Sequence, residues 1–224
     1  MNNEQIRGRV QRLRRLDCCA VSDALDKLGL PGVVTGLPQR SGAGRIAGVV
    51  VTMKLGTGAP PSGPAKHLGC TAIDMSGPDN VIVIEQRTSL EAASWGGLLS
   101  LGAKVRGVAG VVADGPVRDI DEAIGYELPV FSRSLLPITA RGRIVEKGTN
   151  VPVEIGSVGV SPGDFVIADR SGVAFIAADS VDAVLGAAEG IVGREAAMAK
   201  AILAGMPIGQ VMGGDYESML KRTT

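Results

Sequence analysis

Apolar residues recur at two spacings along this chain, and the switches between them predict the order of its elements. Ile6, Val10, Leu13 and Leu16 stand three or four apart among charged neighbours, so Met1 to Leu16 is predicted as an amphipathic helix. Asp17 is placed to cap the next element. A second short helix is predicted over Val21 to Gly29, with Ser22 or Asp23 near its start and Gly29 as its stop. Arg45 to Lys54, RIAGVVVTMK, is rich in β-branched residues and reads as a strand. Residues 30–44 before it and Gly56 to Gly63 after it carry proline and glycine without periodicity. The second of these loops is either a mobile cover over a site or plain linker. The run from Lys66 and His67 to Met75 predicts a helix, Gly77-Pro78-Asp79-Asn80 a turn, and Val81 to Glu85 a buried strand.

The densest alternation lies between Ser94 and Glu122. Trp95-Gly96-Gly97 predicts a loop whose bare backbone approaches a ligand closely, because two glycines remove the side chains that would keep it away. Leu98, Leu99, Leu101 and Ala103 then mark a helix, whose first-turn amides lack partners within the helix and suit a carboxylate or phosphate. Val108 to Ala113 reads as a strand covered on both faces. Asp114-Gly115-Pro116 is turn chemistry that delivers Val117-Arg118-Asp119 just beyond the strand's C-terminal end. A short helix over Asp121 to Gly125 and a strand at Pro129-Val130-Phe131 come next. Val151 to Ile155 and Val158 to Val160 read as hairpin material. Ser161-Pro162-Gly163-Asp164 leads into Phe165 to Ala168, echoing the plan of Ser76 to Ile84. Asp179 to Ala204 is a long closing helix ended by Gly205-Met206-Pro207, of a kind that packs on a neighbouring subunit.

Composition narrows the classes. With 32 glycines and 3% aromatics in 224 residues, the core must be built from Val, Ile, Leu and Ala in close backbone contact, which suits an α/β fold. Lys and Arg number 23 and Asp and Glu number 23, with no basic cluster interleaved with aromatics, so nucleic acid is not the expected partner. The apolar runs are too short to span a membrane, and MNNEQIRGRVQRLRR lacks the apolar stretch of a signal peptide, so a cytoplasmic location is expected. Cys18, Cys19 and Cys70 lack metal-type spacing and read as reduced filler, with a Cys70-His67 nucleophile as the lesser alternative.

The candidate chemistry is concentrated at Arg118-Asp119. A guanidinium beside a carboxylate offers a bidentate clamp for a substrate acid and a hard oxygen ligand for a divalent cation. It is equally a capping aspartate next to a surface arginine. His67, the sole histidine, is a general base, a substrate contact or a structural residue. Thr139-Ala140-Arg141-Gly142-Arg143 is a second basic spot, either anion-binding or simply solvated.

Four spaced motifs, SDALDKLG at 22–29, GRIAG and TMK within 44–54, SWGGLL at 94–99 and DGPVRD at 114–119, together resemble the RraA-like family. The resemblance runs from about residue 15 to the C-terminal helix. This family includes 4-hydroxy-4-methyl-2-oxoglutarate and 4-carboxy-4-hydroxy-2-oxoadipate aldolases and the regulator of ribonuclease activity A. What it implies is a single domain over 1–224, built on a layered central β-sheet sandwich of the swivelling phosphohistidine-domain-like type flanked by helices. It also implies homotrimers or homohexamers and a Mg²⁺ or Mn²⁺ cofactor. By the same resemblance, Arg118 binds the carboxylate of a small 2-oxo acid and Asp119 ligates the metal. The amides that follow the tryptophan-glycine loop, those of Leu98 and Leu99, help hold the 2-oxo acid, and Glu195 reaches the metal of a neighbouring subunit; the Trp95-Gly96-Gly97 loop and His67 are added as substrate contacts from their own chemistry. The implied reaction is class II cleavage of a C–C bond, as an aldolase or an oxaloacetate decarboxylase, through a pyruvate enolate. One position departs from the aldolase pattern. Gly97 stands where those enzymes carry an acidic residue, which leaves three readings: another acid such as Glu91 or Asp114 takes that role, the substrate differs, or the chain is a non-catalytic regulator that binds a protein partner.

Overall fold

In the computed structural model, residues 2–60, 62–63 and 66–213 are described, and they form seven helices and eleven strands. The helices are α1 (Asn3–Leu13), α2 (Cys18–Leu28), α3 (Cys70–Met75), α4 (Gly97–Val105), α5 (Ile120–Gly125), α6 (Val181–Leu203) and α7 (Ile208–Val211). The strands are β1 (Val33–Val34), β2 (Gln39–Ser41), β3 (Ile46–Gly56), β4 (Asn80–Glu85), β5 (Gly110–Val117) and β6 (Val130–Leu135), followed by β7 (Val145–Thr149), β8 (Val153–Ile155), β9 (Val158–Val160), β10 (Phe165–Asp169) and β11 (Gly172–Ile176). Met1 of the predicted first helix and Pro61 of the predicted 56–63 loop lie outside the described residues.

Nine strands make one mixed sheet in the order β1-β11-β10-β3-β4-β5-β6-β2, with β7 also on β3. The strands β3, β4, β5 and β6 run parallel, and β10, β11, β1, β2 and β7 are antiparallel to their neighbours. The long β3 is the organiser: it pairs with β10 through its first half and with β7 through its last. The two echoing turns flank it. Val49 N–H donates to the Asp79 carbonyl and Val50 N–H to the Asp164 carbonyl, both at 2.8 Å.

Connectivity forces this sheet to curl. Only residues 35–38 separate β1 from β2, yet these strands sit at opposite ends of the path, so its two ends must lie within about 18 Å, the reach of five extended steps. Arg133 on β6 spans the gap, its Nη1 donating to the Thr35 carbonyl at 2.6 Å. Along β3 the alternation of side chains then decides which core each residue joins. Ile46 and Val50 point into an inner cluster with Val83, Val112, Phe131 and the β8–β9 hairpin. On the outer face Ala47 joins a cluster with α1, α2 and α6, and Val51, Met53 and Leu55 join one beneath α3, α4 and α5.

Local sequence explains most boundaries. Asn2 and Gln5 form a capping box at α1, and Asp17 caps α2 by accepting from Ala20 N–H. Gly29, at φ 68°, stops α2 as expected. Three boundaries differ from the pattern. Helix α2 begins at Cys18 because Asp17 is its cap, leaving Ser22 and Asp23 inside it. The helix expected from Lys66 begins only at Cys70, because Gly69 takes φ 85°, and His67 therefore lies in the preceding loop. β5 continues through Asp114-Gly115-Pro116 to Val117, absorbing the turn chemistry as an irregularity in its pairing with β6 between Ala113 and Pro116.

A candidate active site at the ends of the parallel strands

The loops leaving the C-terminal ends of β4, β5 and β6 meet over α4, the position where open α/β sheets carry their sites. They enclose a cleft of about 270 Å³ lined by His67, Trp95, Gly96, Gly97, Arg118, Asp119, Glu122 and Arg141, among others. The loop before α4 is pinned to the end of β5 like a further short strand. Ser94 N–H donates to the Pro116 carbonyl at 2.8 Å and Arg118 N–H to the Trp95 carbonyl at 3.0 Å. The Trp95 indole is buried and donates to Ser100 Oγ at 3.0 Å, which fixes the floor of the cleft.

Asp119 joins three elements. It stands at the N-terminus of α5 in the left-handed region, with φ 54° and ψ 40°, a conformation that aspartate tolerates better than most residues. In that pose its carboxylate turns away from its own helix. Its Oδ2 accepts the Gly97 amide at 3.0 Å and Arg118 Nε at 3.1 Å. The guanidinium is committed through Nε alone among the described residues, so its two Nη groups remain as a fork for an incoming carboxylate. Beyond Gly97, the Leu98 and Leu99 amides belong to the first turn of α4, where no helical carbonyl is available to them. A Cβ on Gly96 would come within 2.9 Å of Asp119 Oδ2, so a side chain there would shift the carboxylate that holds Arg118 Nε and the Gly97 amide.

Glu122 is the residue that the sequence pattern passes over. It lies three positions after Asp119, in the first turn of α5, and its carboxylate sits directly above Gly97. A Cβ at position 97 would overlap Glu122 Oε2. An acidic side chain thus reaches the space over Gly97 from α5, and the available signal was an acidic residue one helical turn beyond Arg118-Asp119.

Of the other predicted residues, Trp95, Gly96, Gly97, Leu98, Leu99 and His67 all line the cleft. Burial first, then the charges of Arg141 and Arg118, holds the His67 imidazole below its usual proton affinity. Asp114 does not reach the cleft. Strand alternation turns it to the inner face, opposite Ala113 and Val117, where it accepts Arg133 Nε at 2.6 Å and the Gly156 amide at 2.7 Å. Glu91, the other suggested substitute, lies beside Leu90 and Arg143 outside this cleft. Glu195 is exposed on α6 and is not among the lining residues of its own protomer. None of the three cysteines is among the residues lining this cleft: burial pushes the Cys18 thiol up to about 12, Cys19 is exposed on α2, and Cys70 packs at the edge of the core.

A family model described as RraA-like, Aldolase/RraA, matches residues 18–175, which takes in every motif from α2 to β11. The chain belongs to the RraA-like family. Among its relatives, protein DlpA of Legionella pneumophila is 28% identical over 79% of this chain, which spans only 28% of DlpA's length. A Halalkalibacterium halodurans protein named "Putative 4-hydroxy-4-methyl-2-oxoglutarate aldolase" is 29% identical over 75% of both chains. A solved protein from Pseudomonas syringae pv. tomato superposes with a TM-score of 0.82 at 27% identity, covering 92% of this chain and 98% of its own. The RraA-like fold is therefore a mixed α/β architecture with one large sheet flanked by helices. No helix among the described residues is long and apolar enough to cross a membrane.

Proposed function

We propose that this RraA-like protein is a divalent-metal-dependent lyase that breaks a C–C bond in a 2-oxo acid, as an aldolase or a decarboxylase releasing pyruvate. The observation that carries this reading is the convergence of Arg118, Asp119, Glu122 and the first-turn amides of α4 in one cleft. Arg118 presents its Nη fork to the substrate carboxylate and orients the neighbouring carbonyl. The Leu98 and Leu99 amides hold the remaining carboxylate oxygen at the positive end of α4.

The donor set fits Mg²⁺ or Mn²⁺. Asp119 and Glu122 are hard oxygen donors facing one cleft, and a small cation of this class uses one or two protein carboxylates and keeps several waters. The described residues contain no group of three or more His, Cys, Asp or Glu that could hold a metal, so an all-protein cage is not the arrangement supported here. When bound, the cation supplies a Lewis acid for the negative charge that develops on the 2-oxo group. Glu122 Oε2 is the proton acceptor, acting on the substrate hydroxyl or on water above Gly97. No Schiff-base lysine is needed.

Apolar rows exposed on α4 (Leu98, Leu101 and Val105) and at the C-terminal end (Leu203, Met206 and Ile208) support a homotrimer or hexamer. In such an assembly Glu195 would serve the site of a neighbouring copy. The curled sheet folded on the β8–β9 hairpin supports assignment to the swivelling phosphohistidine-like type.

The test is pyruvate release from oxaloacetate and from 4-hydroxy-4-methyl-2-oxoglutarate, with Mg²⁺ and with EDTA. Release that Mg²⁺ does not raise above the protein-free control refutes the lyase. Arg118→Ala should cost about 2–4 kcal/mol of transition-state stabilisation.

A further inference from the structure

The first turn of α4 opens on a peptide that its own two residues do not hold still. Gly96 and Gly97 flank it, and a peptide between two glycines meets no Cβ on either side as it rotates. Yet this unit decides where the Arg118-Asp119 pair sits. Its N–H, on Gly97, donates to Asp119 Oδ2 at 3.0 Å, and the same oxygen accepts Arg118 Nε at 3.1 Å. No helical carbonyl is available to that N–H, so the Asp119 carboxylate is its one partner among the described residues.

The other edge of the same peptide is held by Ser100. The Gly96 carbonyl accepts both the Ser100 N–H and the Ser100 hydroxyl, each at 3.0 Å, which fills its two lone-pair positions. The first bond is the ordinary helical one and forms whichever residue stands at 100. The second depends on the hydroxyl, which is itself oriented: Trp95 Nε1 donates to Ser100 Oγ at 3.0 Å and so directs the Ser100 proton to Gly96. Ser100 is 1% exposed and Trp95 2%, so water does not compete for either group. The peptide is planar, with its C=O and N–H pointing opposite ways, so fixing the Gly96 carbonyl fixes the Gly97 N–H.

A serine that bonds back to the preceding turn weakens a helix slightly, so the stability of α4 does not account for this hydroxyl. Nor does Ser100 line the cleft. We infer that Ser100 is a positioning residue: its hydroxyl locks the Gly96-Gly97 peptide, and through the Gly97 N–H it aims the Asp119 carboxylate and the Arg118 guanidinium bound to it. Its consequence for chemistry rests on Asp119 being a metal ligand. A serine that only satisfied the buried indole N–H would leave Gly97 and Asp119 indifferent to its removal.

Amide hydrogen exchange, followed by NMR on the intact protein, separates the two roles. The Gly97 N–H is protected by a single bond, so its exchange rate reads that bond. In Ser100→Ala it should exchange about tenfold faster than in wild type, as expected for loss of about one hydrogen bond, while amides of β4 and β5 keep their rates. In Trp95→Phe the hydroxyl still reaches Gly96, so Gly97 should stay protected. Mg²⁺ binding, measured by calorimetry, should weaken about fivefold in Ser100→Ala. A Gly97 rate that is unchanged, or raised only by the factor seen in β4 and β5, overturns the positioning role. So does faster Gly97 exchange with unaltered Mg²⁺ affinity, because the peptide then does not govern Asp119. Equal loss of Gly97 protection in Trp95→Phe and Ser100→Ala assigns the effect to the ring and overturns it as well. A wild type that binds no Mg²⁺ overturns the metal-dependent reading alone, and exchange at Gly97 still decides whether Ser100 fixes the peptide.

Discussion

The carboxylate of Glu122 occupies the space that a side chain on Gly97 would fill. The bare Cα of Gly97 leaves the space in which this carboxylate from α5 lies, and a side chain there would displace the exposed, flexible end of Glu122. Glu122→Gln keeps the size of the side chain and removes its charge. It should lower kcat/KM for pyruvate release about 100-fold or more, as expected for loss of a positioned proton acceptor. The exposed Glu122 side chain carries no core packing, so the thermal midpoint should hardly move. Full activity in Glu122→Gln would remove it from the mechanism.

The same overlap predicts how an acid placed at 97 behaves. Gly97→Asp alone displaces the exposed end of Glu122 and sets two carboxylates side by side, so it should reduce activity while the thermal midpoint hardly moves. The double variant Gly97→Asp with Glu122→Gly clears the space and returns an acid to α4. It should recover a large part of the activity that each single change loses, although glycine in the first turn of α5 costs about 1 kcal/mol of helix propensity. Strict additivity of the two losses would show that the two carboxylates do not share a role.

Much of this was legible in the sequence where one local rule decided the outcome. The turn-and-strand units around Val81 and Phe165, the cap at Asp17 and the stop at Gly29 follow from local patterning, and the resemblance pointed to the cleft lined by Trp95 to Leu99. What was not legible depended on contacts between distant segments. Asp114 looks like a site residue because it precedes Arg118-Asp119, but strand alternation turns it to the opposite face, and the curl of the sheet supplies its partner Arg133. Glu122 was hidden because its reach to Gly97 depends on α5 folding back against α4. The helix boundary at Gly69, and hence the loop position of His67, followed from one left-handed glycine within a helical pattern.

Asp119 is held by its backbone as well as by its side chain. At φ 54° an asparagine is tolerated whereas an alanine is strained, so the two substitutions separate shape from charge. Asp119→Asn should retain the fold and the bond from the Gly97 amide while losing Mg²⁺ binding, read by calorimetry. Asp119→Ala should in addition lower stability by about 1–2 kcal/mol, the usual cost of a left-handed non-glycine residue that lacks side-chain support. Unchanged Mg²⁺ affinity in Asp119→Asn would exclude Asp119 as a ligand.

His67 is the sole histidine, so one imidazole signal in an NMR pH titration reports on the cleft. Its proton affinity is depressed by burial, then by Arg141 and Arg118, so it should titrate below the ordinary value of 6.5. The folded state disfavours the charged ring, so the stability linked to it is present above pH 6.5 and is lost as pH falls through the lower folded value. Arg141→Ala should move the titration upward, because it removes one of the two charges that disfavour the protonated ring. Titration of wild type at or above 6.5 would contradict the placement of His67 beside two guanidiniums.

Arg133 is predicted to matter for stability because it closes the sheet. It donates to the buried Asp114 on β5 at 2.6 Å and to the Thr35 carbonyl beside β1 at 2.6 Å, joining the two ends of the strand order. Asp114 in turn accepts the Gly156 amide and so ties down the β8–β9 hairpin. Arg133→Met keeps the aliphatic stem but leaves a buried carboxylate without its cation. It should cost about 2 kcal/mol, less than for a fully buried pair because about a third of the Arg133 side chain meets solvent. Pairing it with Asp114→Asn removes the stranded charge and should recover much of the loss in chemical denaturation. The side-chain carbonyl oxygen that Asp114→Asn retains can still accept the Gly156 N–H, so the hairpin keeps its anchor. If Arg133→Met and wild type unfold at the same denaturant midpoint, the bridge across the open edge contributes nothing and the curl is held by the inner core alone.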